Sequence, residues 1–184
     1  MRLKSALRKM TLSAMFLALG LVLPFLTGQI PQIGSMLLPM HVPVFLCGLI
    51  CGFPYGALIG FVMPLLRSAL FSVPVFFPTA TAMAFELMAY GFFSGLFYGL
   101  WRKQGLLAVY LSLISSMLLG RGIWGLVQYV QLSATGDVFT LEAFLAGSFL
   151  QAFPGILLQL VLIPAILLAL DKAGLVRFRR EGKA

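Results

Sequence analysis

The chain has 184 residues, of which 61% are hydrophobic and 10% charged, with a formal net charge of +8 and a mean hydropathy of +1.04. A soluble domain is nearer half apolar and a quarter charged, so these values exclude an ordinary globular protein and describe an integral membrane domain. The positive charge does not imply nucleic acid as a partner, because it clusters in short segments between apolar runs, the footprint of membrane topology.

Taken in order, Arg2, Lys4, Arg8 and Lys9 open a basic N-terminus. No small-residue cleavage site follows the apolar run after Met10, so it reads as a first span, over 10–25, and not as a signal peptide. This span carries Ala14-x-x-x-Ala18 with Gly20 nearby, a spacing that admits a close helix. The loop from Thr27 to Gly34 is polar and contains no Lys or Arg. A second span over 37–51 holds His41, Cys47 and Cys51; the two cysteines lie one turn apart in an apolar run and read as small packing residues. A metal site joining them to His41 is not expected, because the spacing puts His41 on another face.

A third span over 55–71 carries Arg67 toward its end. The segment Ser72–Pro78 is too proline-rich to be helical. A fourth span over 79–100 holds Glu86 and Tyr90, and a fifth over 105–130 holds Arg121, Trp124 and Gln128. A sixth, over 141–170, contains Gln151 and is interrupted by Pro154 and Pro164, and a basic tail follows. The expected fold is an all-α bundle of six transmembrane helices in a single domain, 1–184. Six spans put every basic segment on one side, which the positive-inside rule makes cytoplasmic, with both termini inside.

A charge inside hydrocarbon costs at least about 2.5–3.5 kcal/mol, so His41, Arg67, Glu86 and Arg121 each need a compensating arrangement. On these spans all four fall in the outer half, with Gln128 and Gln151 above them, and so outline a polar pocket opening outward. Arg67 and Glu86 either neutralise each other or also reach a ligand, and Tyr90 shares the face of Glu86 one turn on. Arg121 has no obvious acidic partner left over; with Trp124 and Gln128 at i+3 and i+7 it suits a ligand with a carboxylate and a flat or polyhydroxylated body. Gly48, Gly52, Gly56 and Gly60, then Gly91, Gly95 and Gly99, are spaced for close helix packing. There is no phosphate-binding loop, zincin motif or nucleophile elbow, so neither ATP hydrolysis nor other catalysis is expected of this chain, and no cofactor or metal.

The segments Leu38-Pro-Met-His-Val-Pro-Val44, Pro64-Leu-Leu-Arg-Ser68 and Ala82-Met-Ala-Phe-Glu-Leu87, together with Ala14-x-x-x-Ala18 in the first of six spans, resemble the substrate-binding (S) components of energy-coupling factor (ECF) transporters. The resemblance implies a bundle that captures a water-soluble vitamin from outside. It also implies docking on a transmembrane coupling subunit driven by two ATPase subunits, in the plasma membrane of a prokaryote. It maps the coupling-subunit face onto Ala14 and Ala18, and a lid onto Gly28, Gln29, Gln32 and Gly34. Two arginines against one glutamate leave the pocket net positive, which makes pantothenate the first expectation among vitamins that also include folate, pyridoxine, riboflavin and cobalamin. The alternative is a stand-alone ion-coupled carrier or channel for a small polar solute, which would need polar residues through the cytoplasmic half as well.

Overall fold

The computed structural model describes residues 2–27, 36–101, 105–136, 138 and 140–175. The expected lid residues Gly28, Gln29, Gln32 and Gly34 lie outside the described residues, as do Arg102, Lys103 and the tail from 176 on.

Helix α1 runs from Arg2 to Val22 and tightens into a 3-10 turn over Leu23–Thr27. Pro24 accounts for the change, since it has no N–H to give and its ring crowds the carbonyl four residues back. Helix α2, His41–Cys51, has only 11 residues, about 16 Å, and starts later than the sequence suggested. Leu38 adopts a left-handed conformation (φ 51°) immediately before Pro39, which disfavours a helical residue at that position, and the His41 N–H bonds the Leu38 carbonyl. Gly52, at φ 102°, turns the chain sharply into α3, Phe53–Phe71, whose first turn contains Pro54.

Helical bonding resumes at a wide turn, Phe76–Ala80, inside the segment expected to be non-helical. The Ala80 N–H reaches back to the Val75 carbonyl, while Phe77 itself stays extended. Helix α4 follows over Thr81–Leu100. Helix α5 spans Leu106–Thr135, 30 residues, five beyond its expected end. Gly136, at φ 85°, closes it by bonding the carbonyls of Leu132 and Ser133, the usual way a glycine ends a helix. The last span is broken at a different place from the one expected. A short α6, Leu141–Leu145, is capped by the Thr140 hydroxyl and runs into a wide turn over Ala146–Leu150. Helix α7 then runs unbroken over Phe153–Lys172. Pro154 sits in its first turn, where a missing N–H costs nothing, and Pro164 lies within it.

Five helical segments are long and apolar enough to cross a membrane: Ala6–Leu26, Phe53–Phe71, Phe76–Leu100, Leu106–Thr135 and Leu141–Lys172; His41–Cys51 is apolar but shorter. Helix α4 is the centre of the bundle, packed between α2, α3 and α5; α1 leans on α2 and α3, and α7 on α2 and α5. Glycine makes these contacts possible. A Cβ on Gly48 or Gly56 would strike the Gly91 carbonyl, and one on Gly60 would strike the backbone of Leu87. The α2–α3–α4 backbones therefore meet with nothing between them, the approach that small residues give membrane helices in place of a hydrophobic drive. The core around this crossing is built from Val44, Phe45, Met63, Leu87, Tyr90, Val109, Leu113 and Ile163. Cys47 and Cys51 are buried free thiols, and the Ser13 hydroxyl lies 3.4 Å from the Cys47 sulfur.

Candidate functional site

Helix α4 carries Glu86 and, one turn later, Tyr90 into the middle of the bundle. The Tyr90 hydroxyl donates to Glu86 Oε1 at 2.8 Å, the i, i+4 contact that helical spacing dictates. Helix α5 supplies the countercharge: Arg121 Nη1 lies 2.9 Å from the same carboxylate oxygen. Helix α2 adds His41 from its first turn, with Nε2 at 4.0 Å from Glu86 Oε2. The His41 and Tyr90 rings are 5.4 Å apart, and Tyr90 stacks on Phe45 at 4.9 Å. Gly120, beside Arg121, leaves the room that the Tyr90 ring occupies. All four polar residues are at most 5% exposed. Three helices thus converge on one carboxylate, and Arg121, sixteenth of the thirty residues of α5, sets that cluster at the helix midpoint.

This geometry corrects two expectations. Arg121 does have an acidic partner, and it is Glu86. Arg67 does not pair with Glu86. Its Nη1 donates to the Leu21 carbonyl at 2.6 Å, near the end of α1, and its guanidinium lies 5.3 and 5.4 Å from the rings of Phe25 and Phe71. The reason is the face it occupies. Met63, one turn earlier on α3, fills the space beside Gly20 of α1, so Arg67 follows it toward α1, where the switch from α to 3-10 geometry leaves a carbonyl to be satisfied. The polar cluster therefore holds one arginine and one carboxylate, and the expected net positive pocket is not there if His41 is neutral.

Along α5 the remaining stripe divides. Trp124 stacks on Phe144 at 6.3 Å and touches Gly147, so it holds the 141–150 segment in place. Gln128 turns its carbonyl into the protein, where it meets no hydrogen-bond partner among the described residues. Gln151 is exposed. Ala14 and Ala18 are exposed on α1, opposite the face that buries Ser13, Phe16 and Gly20.

Sequence reasoning missed Gln131, Ser148 and Gln159. Gln131 donates to the Thr81 hydroxyl at 2.9 Å, tying α5 to the head of α4. Ser148 and Gln159 are buried to within 1%. The signal for Gln159 was present, because it is the one amide in the apolar run of α7, and a polar residue in such a run is functional by default. Buried polar atoms without partners are few in native proteins. Here Arg121 Nε, both His41 ring nitrogens, Gln128 Oε1, Gln131 Oε1, Ser148 Oγ and Gln159 Nε2 all lack one among the described residues.

An ion pair in the interior of a membrane bundle marks a functional site by default. The family model of the ECF transporter substrate-specific component matches residues 8–168, and the chain belongs to that family. No curated protein and no solved structure matches it. The family is a membrane-embedded transporter component that binds substrate, and its members work with a module of a transmembrane coupling subunit and ATPase subunits.

Proposed function

We propose that this chain captures a water-soluble vitamin at the outer face of a prokaryotic plasma membrane and delivers it inward on the ATP-driven coupling module. The supporting observation is the buried cluster of Glu86, Arg121, Tyr90 and His41, in which Arg121 Nε and both His41 ring nitrogens have no hydrogen-bond partner among the described residues. In this reading the short α2 brings the number of spans to six, and both termini are cytoplasmic. The exposed Ala14 and Ala18 meet the coupling subunit, which two ATPase subunits drive.

The charge balance changes the substrate expectation. A surplus of positive charge favours pantothenate, but that surplus needs Arg67, which lies against α1 and leaves Arg121 balanced by Glu86. A hydroxyl-bearing vitamin, held mainly by hydrogen bonds, fits the neutralised pair; pyridoxine and riboflavin join pantothenate on equal terms, ahead of folate with its two carboxylates and the bulkier cobalamin. Native mass spectrometry of the purified chain, released gently from its membrane, tests this. One vitamin per chain is the expected mass shift. An empty protein that also ignores added pantothenate, folate, pyridoxine, riboflavin and cobalamin would contradict the reading.

A further inference from the structure

Two hydrogen bonds at the head of α4 fix the orientation of an amide on α5. The Thr81 hydroxyl lies 2.9 Å from the Pro78 carbonyl. The hydroxyl donates to that carbonyl, which also accepts the Thr81 backbone N–H. The same hydroxyl oxygen accepts from the Gln131 amide nitrogen at 2.9 Å. In this arrangement Gln131 gives its NH2 to Thr81, and its carbonyl Oε1 points elsewhere. That oxygen is buried and has no partner among the described residues, and the same is true of Gln128 Oε1 three residues earlier. Both acceptors lie on the helix stripe that begins at Arg121, about 10 and 15 Å along the axis from it at 1.5 Å per residue. A buried acceptor left without a donor bears the desolvation penalty of its lost water.

We infer that Gln131 is a specificity-determining residue of the binding site: its fixed carbonyl accepts a hydrogen bond from a hydroxyl or N–H of the captured vitamin, at the end of the site remote from the Arg121–Glu86 pair. The inference rests on the vitamin-capture reading. Thr81 is the positioning residue, acting only through Gln131. A site built around a buried polar atom rejects an analogue that cannot satisfy it far more sharply than an apolar wall rejects a small change of shape. The ligand therefore carries a donor at that end and is long enough to reach it.

The test is isothermal titration calorimetry of the full chain in lipid nanodiscs with pantothenate, pyridoxine and riboflavin, and then with deoxy analogues of whichever binds. Gln131→Leu is expected to weaken binding roughly tenfold or more and to erase the preference for the hydroxylated ligand. Thr81→Val, which leaves the amide in place but unlocks it, is expected to blunt the preference, and Thr81→Ser to restore it. If Gln131→Leu does not fold, the Thr81 pair decides, and an unblunted preference in Thr81→Val overturns the inference. A folded Gln131→Leu with wild-type affinity and preference overturns it as well. Wild-type protein that binds none of the three vitamins instead sinks the vitamin-capture reading beneath it.

Discussion

Glu86 is the residue whose partners define the interior: Tyr90 and Arg121 share one of its oxygens, and His41 approaches the other. Removing one member of a buried ion pair strands the other, typically at a cost of about 3–5 kcal/mol. Glu86→Gln is accordingly expected to lower the thermal unfolding midpoint sharply, and adding Arg121→Met to that variant should recover most of the loss, since an apolar replacement of the whole pair is often neutral. Arg67→Met is expected to destabilise by about 1.5–3 kcal/mol, because the Leu21 carbonyl loses a charged donor, with little change in vitamin affinity. A large affinity loss at unchanged stability would return Arg67 to the binding site. The Glu86–Tyr90 contact was legible in the sequence, because i, i+4 spacing encodes it directly. The choice of partner was not. Two arginines and one glutamate allow two pairings, and only the packing of Met63 against Gly20 decides which way α3 faces.

At the scale of helices, the spacing of small residues was the most informative signal. Gly48, Gly56, Gly60 and Gly91 do lie where backbones touch. Gly60→Val should therefore separate α3 from α4 and cost several kcal/mol, on the order of other severe overpacking changes. Loss of the monodisperse peak in size-exclusion chromatography would report it, and a well-folded Gly60→Val protein would show that the crossing tolerates more space than its geometry implies. Helix ends were less legible. The left-handed Leu38 that delays α2 has no composition signal of its own, and the segment beyond the expected end of the fifth span at 130 continues α5 to Thr135, as far as the glycine that closes it. Pro164 was read as a break, yet α7 runs straight through it. Proline interrupts a membrane helix only where neighbouring groups do not take up its freed carbonyl.

For the whole molecule, the outward face of α1 and the polar cluster lie on different helices. Helix α1 buries one face against α2 and α3 and leaves Ala14, Ala18, Met15 and Leu19 outward, while the polar cluster sits on α2, α4 and α5. Ala14→Leu with Ala18→Leu is expected to abolish vitamin uptake by vesicles containing the coupling module and ATP, with binding to the isolated chain unchanged; uptake at the wild-type rate would remove α1 from the docking surface. Arg8 closes the bundle at its other seam, donating to the Leu175 carbonyl at 2.6 Å just past α7.

Equilibrium binding of a labelled vitamin to the purified chain alone, with neither ATP nor coupling module present, tests the role of the buried cluster most directly when wild type is compared with the Glu86→Gln/Arg121→Met pair. The predicted result is saturable one-to-one binding by wild type and a loss of roughly a hundredfold, about 2.8 kcal/mol, in a double variant that still unfolds cooperatively. Equal affinity in the two proteins would contradict it and leave the ion pair a purely structural brace.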